Sequence, residues 1–248
     1  MKRSSFAKKR IIHIYAIIFV ITIILLIACT LMFKYHVEGE KNLPFNLKKI
    51  NVISTAESLF NKDEEVVRHA KILQKNDVFF VIEKNNNYKK DETIKKILFE
   101  NFQIIKSNED MIINIYKPTT AVDKYVYLPE NIIGDSLEYQ GSLQTNIEGL
   151  QINNQGGIIG FSVASDNIGE YTFEENEILP SDGRLLLKAN AKPEDIKFQI
   201  SFDLIIETNE NHKFKSNIKL DLPTGNILEE GVGKLEKNDL KDVIFKRF

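Results

Sequence analysis

The chain has 248 residues and is close to neutral, with 33 basic side chains against 35 acidic ones. Residues 1–36 contain six basic side chains and no acidic one, so the rest of the chain holds 27 basic against 35 acidic side chains, a net charge of −8. This negative balance argues against a nucleic-acid partner, and a single Cys excludes both a disulfide framework and a Cys-based zinc site.

Residues 11–33 form one apolar segment of 23 residues without a formal charge. At about 1.5 Å per residue, a helix of this length extends about 35 Å and covers a hydrocarbon core of roughly 30 Å. A lone segment in lipid must satisfy its own backbone hydrogen bonds, which favours a helix despite the many β-branched residues. No later segment is as long and apolar, so the sequence predicts a single-pass transmembrane helix in a lipid bilayer.

The flanking charges predict the orientation of this helix. Residues 1–10 carry five basic side chains, whereas residues 34–41 contain two basic and two acidic ones. The positive-inside rule places residues 1–10 in the cytoplasm, as a basic tail, and the residues after the helix on the outer side of the cell membrane.

The fate of Cys29 separates two interpretations of the same segment. A cleaved secretory signal has an apolar region of about 7–15 residues, and the longer region here favours an uncleaved signal anchor with Cys29 as a plain side chain. The sequence Leu26-Ile27-Ala28-Cys29 resembles the bacterial lipobox, whose Cys is lipidated, although the apolar residues 30–33 depart from that pattern. Both interpretations tether a domain to the outer face of a membrane.

Residues 34–46 are expected to form a short polar stalk, with Gly39 and Pro44 as helix breakers. From residue 47 onward the dominant hydrophobic period is two, which predicts β-strands. Residues 64–74 fit either a helix or a strand, and a strand is favoured. Strands are expected in residues 48–54, 78–83, 96–106, 111–117, 136–152 and 157–173, with turns at 107–110 and 153–156.

The clearest strand signal lies in residues 197–207 and 213–222. Folding the chain about Glu210 places four apolar pairs opposite one another on one face, and Glu207 opposite Lys213 on the other. A slip of one residue would turn every apolar side chain outward, so the register is well specified. The predicted pairs on the apolar face are Phe198/Leu222, Ile200/Leu220, Phe202/Ile218, Leu204/Ser216 and Ile206/Phe214.

Numerous strands and few helices predict a mainly β fold class. One short helix is expected at 184–189, with Asp182 as its N-cap, and a further turn is expected at 193–195. We therefore expect one N-terminal transmembrane helix followed by an antiparallel β-sandwich over residues 47–248, rather than a parallel sheet with crossover helices. A seam at 119–123 is a candidate boundary between two β units.

The sequence shows no catalytic constellation. Outside the apolar segment the histidines are His36 in the stalk, His69, and His212 in a loop tip; only His69 is a candidate base, and no nucleophile or phosphate-loop motif accompanies it. Acidic clusters at 63–65 and 174–177 lack the spacing of a calcium loop, so neither a metal nor a cofactor is predicted. Residues 222–225 (LPTG) are one residue short of a sortase signal and lack its apolar tail.

Residues 36–54, 153–164, 198–207 and 218–223 resemble a group of single-span envelope proteins of low-GC Gram-positive bacteria. That group has no assigned activity, so the resemblance implies only a bacterial surface location. The expected function is a non-catalytic binding or structural module that contacts another envelope protein or the cell wall. The alternatives are a lipoprotein acylated at Cys29 and a cell-envelope hydrolase that uses two scattered carboxylates.

Overall fold

The computed structural model describes residues 3–60, 69–118, 127–143, 149–172 and 184–248. Helix α1 (Arg3–Glu38) contains the predicted apolar segment and continues five residues beyond its end at residue 33. Within α1, residues His13–Glu38 are long and apolar enough to cross a membrane, and 0% of their most apolar window is buried against the rest of the protein. The prediction of an N-terminal helix of membrane-spanning length is therefore confirmed.

The remaining described residues form strands and a few short helices. The helices are α2 (Arg184–Lys188), α3 (Pro193–Ile196) and α4 (Ile227–Glu230), with a 3₁₀ turn at Pro129–Asn131. The strands are β1 (Phe45–Phe60), β2 (His69–Lys84), β3 (Ile94–Lys106), β4 (Ile113–Tyr116), β5 (Ser136–Gly141), β6 (Leu150–Ile152), β7 (Gly156–Thr172), β8 (Phe198–Thr208), β9 (Lys213–Leu222), β10 (Val232–Lys237) and β11 (Lys246–Arg247).

The strands build two sheets that pack face to face as a sandwich. Sheet A has the order β10-β1-β2-β7-β4, and sheet B has the order β11-β9-β8-β3-β5-β6. All neighbours are antiparallel except β5 and β6, which run parallel. The expected mainly β, antiparallel fold class is confirmed.

Strand pairing is not divided at the seam considered at 119–123. Each sheet contains strands from both sides of those residues, which themselves lie outside the described part of the chain. The reason is that the turn at 107–110 carries the chain from β3 in sheet B to β4 in sheet A instead of closing a hairpin. Similarly, the turn at 153–156 leads from β6 in sheet B to β7 in sheet A.

The hairpin formed by β8 and β9 has the predicted register. Phe198 faces Leu222, Phe202 faces Ile218, and Glu207 faces Lys213. Strand β2 begins at His69, so the described part of the ambiguous segment 64–74, residues 69–74, is a strand, as predicted. Helix α2 begins at Arg184, the first residue of the predicted helix, and the proposed cap Asp182 lies outside the described residues.

Aromatic side chains form the centre of the core between the sheets. The ring of Phe202 on β8 is fully buried, and its centroid lies 5.2–5.8 Å from the centroids of four other phenylalanine rings. These rings come from both sheets, so the contacts bind the layers together. The four partners of Phe202 are Phe80, Phe99, Phe102 and Phe161.

A second, smaller core lies at the other end of the long strands. There Ile72 of β2 packs with the apolar side chains of the three short helices. The start of β8 at Phe198 lies at this end of the sandwich. It is about 30 Å from the loop at 208–212, since a strand rises about 3.3 Å per residue. The helices close an end of the sandwich that would otherwise expose apolar strand residues. The members of this core are Ile72, Leu185, Leu186, Ile196 and Ile227.

Truncating the central ring tests this packing. We expect Phe202→Ala to lower the free energy of unfolding by about 3–5 kcal/mol, because the ring contacts are lost and a cavity remains. Urea denaturation of the full-length protein in detergent micelles, followed by circular dichroism, measures the change. The control Ile105→Ala, at a position of β3 that is 65% exposed, should change it by less than about 0.5 kcal/mol. Equal stability of the two variants would contradict the described core.

Candidate functional site at the membrane junction

The end of α1 is fixed directly to the sandwich. Gly39 has a φ of +69° and donates its N–H to the carbonyl oxygen of Tyr35 at 2.8 Å, which caps the helix. A Cβ atom at Gly39 would lie 2.5 Å from the carbonyl oxygen of Phe245 and closer still to Ile244. The backbone N–H of Glu40 donates to that same Phe245 oxygen at 2.8 Å. Glycine is therefore required here both for its conformation and for its size.

Residues 240–248, which we call the junction segment, connect α1 to sheet B. The backbone N–H of Arg247 donates to the hydroxyl of Tyr35 at 2.9 Å. Strand β11, within the junction segment, pairs Arg247 with Phe214 of β9. The ring of Phe45 contacts the rings of Phe214 and Phe245 edge to face, with centroids 5.6 and 5.0 Å apart. These aromatic and backbone contacts hold the helix against the sandwich.

The segment expected to be a polar stalk, residues 34–46, is therefore packed rather than free. Residues 34–38 continue α1, and Gly39, Pro44 and Phe45 are buried. The prediction of Gly39 as a helix breaker is confirmed, since α1 ends directly before it. The surroundings of Gly39 could not be predicted from local sequence, because its neighbours Ile244 and Phe245 are about 200 residues away.

A buried carboxylate lies near this junction. Glu92 is almost fully buried, and its oxygens accept hydrogen bonds from the hydroxyl of Thr208 at 3.0 Å and from Nδ1 of His212 at 2.9 Å. The hydroxyl of Tyr88 donates to the other oxygen at 3.3 Å. Burial raises the pKa of Glu92, but the donors from His212, Thr208 and Tyr88 outweigh it and keep that pKa below its usual value. The arrangement locks the loop between β8 and β9 onto the segment before β3.

The open face of sheet B carries further paired acids. Glu207 is buried and accepts a hydrogen bond from Lys95 at 2.8 Å, while the predicted partner Lys213 lies 3.8 Å away. Burial raises the pKa of Glu207, but the lysines, with Lys95 foremost, hold it below its usual value. Burial also raises the pKa of Asp203, but Asn217, Asn101 and Lys215 outweigh this effect and hold the pKa below its usual value.

These pKa directions limit the chemistry of the carboxyl groups that show them. A glycosidase general acid must keep its proton near neutral pH, which requires a raised pKa. Among the described residues outside α1, the carboxyl groups with a resolved shift all have a lowered pKa. They are Asp91, Glu92, Asp203, Glu207, Glu236 and Asp242.

Among the described residues, no group of His, Cys, Asp and Glu is arranged to hold a metal ion. Burial, with Asp166 nearby, raises the pKa of Tyr116 to about 12, and burial raises that of Tyr139 to about 12. Both phenols therefore stay protonated at neutral pH and act as hydrogen-bond donors.

The residues singled out in the sequence do not converge on one site. Cys29 is exposed on α1, in the apolar segment. His69 begins β2, but its side chain and the acidic clusters at 63–65 and 174–177 lie outside the described part of the structure. His212 is half-buried on Glu92 rather than free in a loop tip. Thr224 of the LPTG sequence is buried, and its N–H donates to Oγ of Ser54 at 2.9 Å.

The open face of sheet A carries an apolar patch, formed by Ile53, Phe79, Val81 and Ile158. Val81 pairs directly with Ile158, and Phe79 lies two residues away on the same face. Ile158 is 68% exposed and Ile53 is 36% exposed, while Phe79 and Val81 are half-buried. The strand predicted at 78–83 lies within β2 and contains a continuous apolar run, but of that run Val78, Phe80 and Ile82 enter the core while Phe79 and Val81 do not.

No protein-family model, curated protein or solved structure matches this chain. The helix, the junction, the paired acids and the apolar patch are therefore the features of the molecule that bear on its function. Sequence analysis missed the cluster around Glu92 because its partners Thr208 and His212 are 116 and 120 residues away. The predicted contact of Glu207 with Lys213 was the one local signal for this group of charges.

The lowered pKa of Glu92 predicts a loss of stability in acid. A carboxyl whose pKa is lowered by folding contributes stability above its unfolded pKa of about 4.3, and this contribution disappears as the pH falls through the folded value. We expect Glu92→Gln to lower the free energy of unfolding at pH 7 by roughly 1–3 kcal/mol and to reduce its dependence on pH between 5 and 3. Urea denaturation across this range measures both effects.

The control for this experiment is Glu109→Gln, an exposed carboxyl in the turn at 107–110. It should leave the pH profile of the unfolding free energy as in the unaltered protein. Identical profiles for Glu92→Gln and Glu109→Gln would show that the buried cluster contributes no pH-dependent stability.

Proposed function

We propose that this protein is a membrane-anchored module of a bacterial cell envelope that binds another envelope protein without catalysis. The observation that carries the proposal is an unburied helix of membrane-spanning length that is fixed directly to a β-sandwich. Exposing so much apolar surface to water is unfavourable, so a bilayer suits this helix. The basic residues 1–10 favour a cytoplasmic N-terminus and an extracytoplasmic sandwich.

The patch on sheet A supports a protein partner rather than a wall polymer. Its side chains are aliphatic and aromatic, and charged groups such as Lys49 and Asp77 lie on neighbouring positions of the same face. An exposed apolar patch with a polar rim is typical of protein contact sites. The aliphatic members Ile53, Val81 and Ile158 offer neither hydrogen-bonding nor cationic groups to the sugars and phosphates of a wall polymer.

The paired acids support a non-catalytic role. A hydrolase of the two-carboxylate type needs one carboxyl that holds a proton at neutral pH. The described carboxyl groups with resolved shifts are held in the opposite, ionised state by lysine, amide and hydroxyl donors. They favour stabilisation of the sandwich over proton transfer.

Cysteine accessibility tests the orientation. In a Cys29→Ser background, we expect a membrane-impermeant maleimide to label Lys219→Cys on intact, wall-stripped cells, because Lys219 is an exposed residue of β9 in the extracytoplasmic domain. Ser5→Cys in the basic tail should react only after the membrane is broken. A gel-shift assay measures the labelling. Labelling of Ser5→Cys alone on intact cells would overturn the orientation.

The intact mass of the unaltered protein separately shows whether Cys29 carries an acyl chain.

Site-specific photo-crosslinking in intact cells tests the protein partner. We expect a benzophenone amino acid at Phe79 to give one discrete adduct with a different protein, because Phe79 lies in the apolar patch. The added change Ile158→Glu should abolish the adduct, since a carboxylate in an apolar contact is costly. The control probe at Lys219, on the open face of sheet B, should give no such adduct. Adducts only with lipid or with further copies of the chain would contradict the proposal.

A further inference from the structure

The contact between Tyr35 and Arg247 determines how close the junction segment lies to the bilayer. Phe33 is the last residue of the apolar segment, and Tyr35 follows about 3 Å further along the helix axis. Side chains on a helix lean toward its N-terminus, which here is toward the bilayer. The Tyr35 hydroxyl accepts the N–H of Arg247 at 2.9 Å. With α1 anchored in a bilayer as proposed above, this contact places Arg247 at the depth of the headgroup layer, which is roughly 5–7 Å thick.

Lys246 and Arg247 carry positive charges that have no acidic partner among the described residues. The ammonium group of Lys246 has Nδ1 of His36 as its polar neighbour, at 3.5 Å. Arg247 is exposed, and its described hydrogen bonds, both to Tyr35, are made by its backbone. Lys246 and Arg247 are consecutive residues of β11, so their side chains leave the strand on opposite faces, with Lys246 opposite Lys215 and Arg247 opposite Phe214. At this depth each of these cations suits the phosphate group of a lipid.

A cavity of about 520 Å³ lies beside these two cations, between Tyr35 and the edge of β9. The acids that line it are already engaged. Asp203 pairs with Lys215 at 3.4 Å, and Asp242 pairs with Lys237 at 2.5 Å. The positive charge of Lys246 and Arg247 is therefore not cancelled by the acidic lining.

Phe248 adds an interfacial aromatic side chain to this group. It is 64% exposed, and Lys215 lies over its ring, with Nζ 5.4 Å from the centroid. Its backbone N–H donates to the carbonyl oxygen of Lys213 at 3.1 Å, so its position is fixed by β9. Aromatic side chains next to basic ones are typical of protein surfaces at the headgroup level.

We propose that Lys246, Arg247 and Phe248 form a binding site of the folded domain for anionic phospholipid headgroups. Lys246 and Arg247 each bind a lipid phosphate from their own side of β11, and the ring of Phe248 lies among the headgroups. This inference rests on the membrane anchoring proposed above and extends it, because the sandwich itself, and not only α1, then contacts the bilayer. The occupant is a lipid of the leaflet that borders the sandwich.

A tryptophan reporter tests the contact, because the chain contains no Trp. In full-length protein reconstituted into phosphatidylcholine nanodiscs with a minor fraction of spin-labelled phosphatidylglycerol, the label being on the headgroup, we expect strong quenching of Phe248→Trp. Leu187→Trp on α2, at the other end of the sandwich, is the negative control. Phe19→Trp, within α1, should be quenched by a label deep in the acyl chain and reports the anchoring itself.

The outcomes separate the two proposals. If Phe19→Trp is quenched and Phe248→Trp is quenched no more than Leu187→Trp, the lipid site is wrong while the anchor stands. If Phe19→Trp is not quenched either, the anchoring is wrong as well. Quenching of Phe248→Trp together with Phe19→Trp supports the lipid contact.

The role of the cations has its own matched test. With Phe248→Trp as reporter, Lys246→Gln combined with Arg247→Gln should reduce the local enrichment of labelled phosphatidylglycerol by about fivefold for each charge removed. The control pair Lys219→Gln and Lys234→Gln removes two exposed lysines elsewhere on the sandwich and should leave the enrichment unchanged. Equal enrichment in both double variants would overturn the assignment of Lys246 and Arg247.

Discussion

The last turn of a helix leaves carbonyl groups without partners inside the helix, and directly after α1 the backbone of this protein bonds to the folded domain. Gly39 caps α1, and the next residue, Glu40, already bonds to Phe245 of the junction segment. The chain thus passes from helix to sandwich without a free linker. In the proposed membrane setting, this connection determines which side chains of the sandwich lie against lipid and which face away from it.

The outer faces of the two sheets differ in a way that follows from their strands. On sheet B, strand β9 alternates apolar residues with polar ones, and its outward lysines neutralise acids such as Asp203 and Glu207. On sheet A, strand β2 contains a continuous apolar run, so alternate members of that run must face outward. Phe79 and Val81 occupy those outward positions. One face is thus stabilised internally by charge pairs, while the other retains apolar surface that can be buried against another molecule.

The sequence predicts features that depend on local patterns. The helix follows from the length and apolarity of residues 11–33, and the hairpin register follows from a period of two in which Ser216 is the only polar member of the inward face. Connections are less predictable, because a polar turn looks the same whether it closes a hairpin or crosses between sheets. The turn at 107–110 crosses, and β6 joins β5 in parallel through residues that carry no strong signal.

The junction could not be predicted because its contacts join residues that are far apart in sequence, and the same separation affects how the junction forms. Tyr35 and Arg247 are 212 residues apart, so their contact requires a large loss of chain entropy that local contacts do not offset. Arg247 reaches Tyr35 because β11 pairs with β9, and β9 is positioned by β8 and the aromatic core. The burial of Phe45 against Phe214 and Phe245 adds the apolar contact that keeps the segment in place. The helix can therefore be fixed to the domain only once the sandwich has folded, which links the geometry at the bilayer to the integrity of the whole core.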